Sequence, residues 1–336
     1  MAVEYRAMRP KDVRHCVELV ANHPTVGPRY ASVLDILGSV WLELLGAEAF
    51  LSVVFEEITP RHTRFLGMGI SVFVSDDFAA ECRRPPFFWI GPELARRVSR
   101  GRSPLLSDRE VREANSSDGL RVVVWEGSTS EDANPQVISK VVSAFVEQHQ
   151  GFLLKEWITQ APGLDALVGT IHSGAFLVDP VDGRYGASLP ADPEQIVVKP
   201  HCLGLTRELA ADRVGSWVGS LFLYQPPRLG FRRSEQRLLS AALTGATDEG
   251  LSDKLGISLS AVKKSWRDIY ARVGDQAPEL VPGTLSPMLS GQTRGKEKKQ
   301  RLLAHLRAHP EELRPISRKL LSKTKKAGDC SPAPNL

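Results

Sequence analysis

Residues 231–274, FRRSEQRLLSAALTGATDEGLSDKLGISLSAVKKSWRDIYARVG, leave this chain fewer structural choices than any other stretch. Three helical patterns follow one another with almost no connecting residues. In the first, Leu238, Leu239, Ala242 and Leu243 share one apolar face, which ends at Gly245, a residue free to take the left-handed conformation of a helix stop. Thr247 offers a side-chain oxygen to cap a second helix carrying Leu251 and Leu255. Gly256 closes that helix, and Ser258 caps a third after a very tight turn. Helix, tight glycine turn, helix is a compact supersecondary unit with few alternatives.

The third helix has two unlike sides. Val262, Trp266, Ile269 and Val273 fall three or four residues apart and make one buried stripe. Ser260, Lys263, Lys264 and Arg267 are left on the other side. Such a helix suits a DNA major groove, where phosphates attract the cations and Arg or Lys donates to guanine O6 and N7. A solvated basic face on an ordinary helix bundle is the plainer alternative. The tight turn, the three successive helices and the basic third helix together favour the groove.

The segment resembles the LuxR-type helix-turn-helix of bacterial transcription regulators. It can be laid on that pattern without a gap, with Glu235, Leu239, Gly245, Leu255, Gly256, Ile257, Ser258, Val262, Lys263, Ile269, Val273 and Gly274 at matching places. The resemblance implies a recognition helix over 259–273. It places Thr247 near a phosphate, where the family usually has a serine. The DNA-contacting residues expected are Thr247, Lys254, Ser258, Ser260, Lys263, Lys264 and Arg267, with Lys263, Thr247 and Lys254 on phosphates and Lys264, Arg267 and Ser260 reaching base edges. Three short or flexible groups on one helix make a weakly specific reader, so a homodimer on paired half-sites is expected; a contact with RNA polymerase is a further expected partner. Arg232 stands where the family has an N-cap threonine, Ala261 where it has a threonine before the valine. Gly250 lies inside the second helix, at a cost of about 1 kcal/mol relative to alanine.

At 336 residues, the chain is long enough for two or three domains, and 42% apolar with 24% charged residues describes a globular protein. No apolar run is long enough to cross a membrane, and the charged start MAVEYRAMRPKDVRH is unlike a signal peptide. Cys16, Cys82, Cys202 and Cys330 are scattered without CxxC spacing, which argues for a reducing cytoplasm and against a zinc site, and no metal ligand is expected. Charge is uneven: from residue 231 onward 20 Lys and Arg face 11 Asp and Glu, whereas residues 1–230 carry 23 against 28. A basic end on an acidic body is the footprint of a nucleic-acid-binding segment.

Ahead of that segment, VEYRAM (3–8) reads as a strand, and Pro10 opens a helix with Val13, Cys16, Val17 and Val20 inward. A second helix is expected over 29–47, and FLSVVFEEI (50–58) and TRFLGMGISVFVS (63–75) read as strands. This layout resembles the start of a GNAT-type acyltransferase, which implies an α/β (α+β) fold and a coenzyme A pyrophosphate loop, (Q/R)-x-x-G-x-(G/A), between a strand and a helix. Arg64, Gly67 and Gly69 match that string inside a strand, where the amides cannot converge. The well-placed stretch, between the strand LRVVVW (120–125) and a helix from Pro135, reads EGSTSEDANP, acidic and without an Arg or Gln anchor.

Elsewhere, Phe87, Phe88 and Trp89 read as core under a long loop, and Ser107 with Glu110 as a capping box. Asp179 and Asp182 read as turn residues, His172 as no part of a constellation, 184–215 as loop-rich and WVGSLFLY (217–224) as a last strand. QPPRLG (225–230) reads as a hinge, KEKKQRLLAHLRAHPEELR (296–314) as a docked basic helix and the tail KTKKAGDCSPAPNL as disordered.

The sequence therefore predicts a GNAT-like sensor or interaction domain over 1–226, an all-α LuxR-type helix-turn-helix domain over 227–275 and a basic extension over 276–336. The expected function is cytoplasmic, sequence-specific transcription regulation, without enzymatic activity, cofactor, catalytic residue or membrane partner. The alternative is a GNAT-type acyltransferase fused to a DNA-targeting helix-turn-helix.

Overall fold

The computed structural model describes residues 2–60, 62–130, 135–187, 189, 192–213, 215–281 and 293–317. It divides into two compact units, Met1–Leu223 and Tyr224–Leu336.

The first unit is a mixed α/β structure around an eight-stranded sheet. In chain order it runs β1 (Ala2–Ala7), α1 (Val13–Asn22), α2 (Leu34–Leu44), β2 (Phe50–Ile58), β3 (Thr63–Val74), α3 (Asp76–Arg83), α4 (Ile90–Ser99), α5 (Asp108–Ala114), β4 (Leu120–Thr129), α6 (Pro135–His149), β5 (Leu154–Thr159), α7 (Leu164–His172), β6 (Phe176–Val178), β7 (Tyr185–Ala187) and β8 (Leu203–Thr206). The sheet order is β1-β2-β3-β4-β5-β8-β6-β7. Every neighbouring pair is antiparallel except β4 with β5, which lie parallel because α6 carries the chain over the sheet between them.

Alternation along the strands builds a core on each face. Ile70 and Val72 of β3 point to the α1, α2 and α4 side, where Cys16, Leu37, Trp41 and Leu94 are buried. Phe73 of β3 points to the other, with Val122 of β4 and Trp157 of β5. Gly67 is required where β3 and β4 come close, since a Cβ there would lie 2.8 Å from the Ser128 carbonyl oxygen. The Arg64-Gly67-Gly69 string therefore lies within a paired strand, as its flanking residues imply.

Several expectations are corrected. The helix expected over 29–47 begins only at Leu34, after a short turn Gly27–Tyr30. β4 runs on to Thr129, so EGST is strand, because those residues stay in register with Gly67–Ile70 of β3. The long loop expected around Phe87, Phe88 and Trp89 contains α4, and the loop-rich 184–215 holds β7 and β8. WVGSLFLY contains no strand: Trp217–Ser220 is a helical turn, because the Ser216 hydroxyl accepts the Gly219 N–H and favours helix entry over extension. The expected Ser107–Glu110 capping box does form at α5.

In the second unit every regular element among the described residues is helical: α8 (Arg233–Ala242), α9 (Asp248–Leu255), α10 (Leu259–Gln276) and α11 (Thr293–Ala308), with single tight turns at Pro278–Leu280 and Pro310–Leu313. Gly245 and Gly256 take φ of 82° and 64°, the left-handed stops that the sequence calls for. The stretch expected as a separate extension shares one core with α8–α10 through Leu302 and Leu306. Its turn is tied down by Glu312, whose carboxylate accepts the Arg228 and Leu229 N–H groups at 2.7 and 2.9 Å. Residues 323–336, the tail expected to be disordered, lie outside the described residues.

Candidate functional site

The first unit contains a cleft of about 770 Å³ where the sheet opens. β4 pairs with β5 only from Leu120 to Val123, while its continuation to Thr129 stays with β3; β5 has β8 on its other edge from Glu156 to Thr159. One extra residue in β4, between Val124 and Glu126, interrupts the register with Ile70 and Ser71. Such a bulge re-aims the side chains around it and adds twist. Val124–Thr129 therefore forms one wall of an opening whose other wall is Trp157, Thr159 and the segment after β5.

On the α1 side, the wall carries Glu126. Its Oε1 accepts the Gly127 N–H and the Ser128 hydroxyl, both at 3.0 Å. Burial raises the Glu126 pKa, and the neighbouring Tyr30 and Ser128 hydroxyls, the Gly127 amide and Arg29 only partly offset it. A carboxylate raised from its usual range toward neutrality is a usable proton acceptor. Tyr30, itself buried, donates to the Trp125 carbonyl at 3.1 Å. Arg29 donates to the carbonyls of Ala161, Pro162 and Val197, at 3.1, 3.3 and 2.9 Å, and its guanidinium lies 4.0 Å over the Trp89 ring. The cation is thus consumed in holding the post-β5 segment. Trp89, expected as plain core, is a cleft residue.

On the α6 side, Ser71, Phe145, Trp157 and Trp217 line the same opening. Ser71 Oγ lies 2.7 Å from His149 Nε2, and His149 Nδ1 lies 2.7 Å from the Phe145 carbonyl oxygen. The Trp125 and Trp157 indole N–H groups are buried without a hydrogen-bond partner among the described residues.

The described residues at the end of β4 do not fit the pyrophosphate of coenzyme A. A phosphate-binding turn needs amides free to converge and a cation beside them. Here the Gly127 N–H is engaged by Glu126 and the Ser130 N–H by the Leu66 carbonyl, at 2.8 Å. The following residues Glu131 and Asp132 are acidic.

In the second unit, α9 and α10 present the seven residues expected to meet DNA. Thr247 and Ser258 are N-caps, accepting the Gly250 and Ala261 N–H groups at 3.1 and 3.2 Å. Ser258 Oγ is also 2.9 Å from Ser260 Oγ. Thr247, Lys254, Ser258, Ser260, Lys263, Lys264 and Arg267 are all exposed, while Val262, Trp266, Ile269 and Val273 are buried behind them. Glu235 supplies the α8 cap that Arg232 lacks, accepting the Arg232 N–H at 2.6 Å, and pairs with Arg272. Lys299 of α11 pairs with Asp248 and sits 4.7 Å over the Trp266 ring, so this lysine is engaged in docking α11.

His172 joins no constellation that the structure shows, and Asp179 and Asp182 close turns by accepting the Val181 and Arg184 amides. Among the described residues no group of His, Cys, Asp and Glu is arranged to hold a metal ion, and no helix is long and apolar enough to cross a membrane. Sequence reasoning missed Glu126 and the Ser71–His149 pair. Glu126 lay in a stretch read as loop, and 78 residues separate Ser71 from His149, so no local pattern joins them.

No family model matches the chain, and no curated protein matches it. Among solved structures, one described as the histone acetyltransferase HPA2 and related acetyltransferase of Corynebacterium glutamicum ATCC 13032 is similar over 61% of this chain and 96% of that one, with a TM-score of 0.36 and 11% identity. This neighbour is an acetyltransferase, and the expectation that the chain is not an enzyme does not stand beside it. At that degree of likeness it shows nothing about the reaction.

Proposed function

We propose that the first unit is an acyl-transfer enzyme of the GNAT-like type and that the second carries it to DNA. The observation that supports this most is Glu126, a carboxylate with a raised pKa in the wall of a cleft formed by two parting strands. In this reading an amine acceptor enters on the Tyr30 side. Glu126 takes the proton that the amine sheds as its nitrogen bonds to the acyl carbon, and the donor's sulfur or oxygen leaves. The edge of β4 from Val124 to Thr129 offers backbone groups to an extended, amide-bearing donor arm. Because the stretch after β4 is acidic in sequence and carries no Arg or Gln anchor, the donor class proposed is an ester or thioester without a diphosphate.

The test uses the full chain with a primary amine and either acetyl-CoA or S-acetyl-N-acetylcysteamine, a thioester lacking the diphosphate. Acetylated amine is expected with the short thioester, at a rate not below that with acetyl-CoA, and Glu126→Gln is expected to lower it by about 10²-fold. Absence of transfer from both donors would refute the reading.

For the second unit, the exposed Ser260, Lys263, Lys264 and Arg267 opposite a buried stripe favour an all-α, LuxR-type helix-turn-helix that docks its third helix in a major groove. In this reading the chain is a sequence-specific transcription regulator that binds paired half-sites as a homodimer and meets RNA polymerase there. Selection of bound sequences from a random duplex pool should enrich a two-fold repeat with the wild type and not with Lys264→Ala/Arg267→Ala. Enrichment of nothing by either protein would count against sequence-specific reading.

A further inference from the structure

The Ser71–His149 pair has a direction that its partners fix. The Phe145 carbonyl can only accept a hydrogen bond, so the His149 Nδ1 at 2.7 Å from it carries the proton. Nε2 then holds the lone pair, and the Ser71 hydroxyl, 2.7 Å away, donates to it. A hydroxyl donating to an imidazole whose far nitrogen is held by a fixed acceptor has the order of an activated nucleophile, its base and an orienting group. His149 is the last residue of α6, and that helix end sets the ring beside Ser71. Neither side chain reaches solvent, with exposures of 2% and 0%, yet Ser71 belongs to the wall of the cleft. The bulge opposite Ser71 in β4 sits where β4 leaves β5, so the opening meets the sheet at this serine.

We infer that Ser71 is a covalent acyl acceptor, with His149 as its base, for activated acyl donors entering the α6 side of the cleft. The Ser71 oxygen attacks the carbonyl carbon of an ester or thioester, and His149 Nε2 takes the hydroxyl proton. The carbon–sulfur or carbon–oxygen bond of the donor breaks, and the leaving thiolate or alkoxide takes the proton back from His149. An ester on Ser71 and a free thiol or alcohol result. An amine on the Glu126 side, or water, then attacks that ester and restores the Ser71 hydroxyl. This rests on the reading of the cleft as an acyl-transfer site and splits its reaction into two steps.

The experiment incubates the full chain with p-nitrophenyl acetate. It records the early release of p-nitrophenolate, the intact mass and the acetylated position by peptide mapping. A burst stoichiometric with protein and an acetyl ester on Ser71 are expected. Ser71→Ala should lose both, Ser71→Cys should keep an adduct as a thioester, and His149→Ala should slow the burst by about 10²-fold and recover rate with added imidazole. Glu126→Gln should still form the Ser71 ester while failing to pass it to an amine. Circular dichroism checks that each variant is folded. If the wild type acetylates amines but the label never appears on Ser71, and folded Ser71→Ala transfers at the wild-type rate, transfer is direct and the inference is wrong while the acyltransferase reading stands. If neither amine transfer nor a Ser71 adduct is seen, both fall.

Discussion

At the residue scale, the cleft depends on groups held between opposing demands. Glu126 is raised by burial, so the folded protein holds its proton more tightly than the unfolded chain. Its contribution to stability is full below the ordinary carboxylate range and is lost as pH rises through its raised value. Urea midpoints at pH 4 and pH 8 should therefore fall less with rising pH in Glu126→Gln than in the wild type. Asp12 has the opposite sign. Burial alone would raise it, but hydrogen bonds from Arg6 and from the Arg9 N–H hold it below its usual range. Its contribution is present above that range and fades on acidification, and Asp12→Asn is expected to cost about 2 kcal/mol near neutral pH, read by urea unfolding. Gly91 is the tightest steric position beside the cleft. A Cβ would lie 1.8 Å from Tyr30 Oη and 2.9 Å from the Trp125 carbonyl oxygen. Gly91→Ala should displace Tyr30, break its hydrogen bond and cost about 2–3 kcal/mol.

At the element scale, α9 and α10 follow closely from local chemistry. Thr247, Ser258, Gly245 and Gly256 take the capping and left-handed roles their residue types call for. Gly256→Ala, at φ 64°, is expected to lower stability by about 1 kcal/mol without touching the exposed α10 face, so DNA affinity per folded molecule should hold. Lys263→Ala should do the reverse, leaving the melting temperature within error and weakening duplex binding at low salt. Trp217–Ser220 shows where local reading fails. Its apolar run suits a strand, and the Ser216 cap with packing against Phe145 and Trp157 makes it a helical turn. β8 was hidden for a related reason: Leu203–Thr206 is too short for a period and is defined by pairing with β5 and β6.

At the scale of the whole molecule, each unit closes its own apolar core. Residues 224–336 alone should keep a cooperative thermal transition. In that piece Leu302→Ala, which empties a fully buried position, should cost about 3 kcal/mol, read by denaturant unfolding. The charge division between a basic C-terminal part and an acidic remainder is a property of sequence alone, and it carries the expectation that binding to duplex DNA weakens steeply with salt.

Features that act over a few residues are legible along the chain: caps, left-handed stops, the apolar stripe of α10, the strands Phe50–Ile58 and Thr63–Val74, and the imbalance of charge. These follow from the steric and hydrogen-bonding preferences of adjacent residues. Where β4 parts from β5, that Glu126 faces Tyr30 and that Ser71 meets His149 emerge with the folded sheet alone. Strand pairing between distant segments sets those positions, and the energy that selects one register is summed over a whole sheet rather than written in any one of its strands.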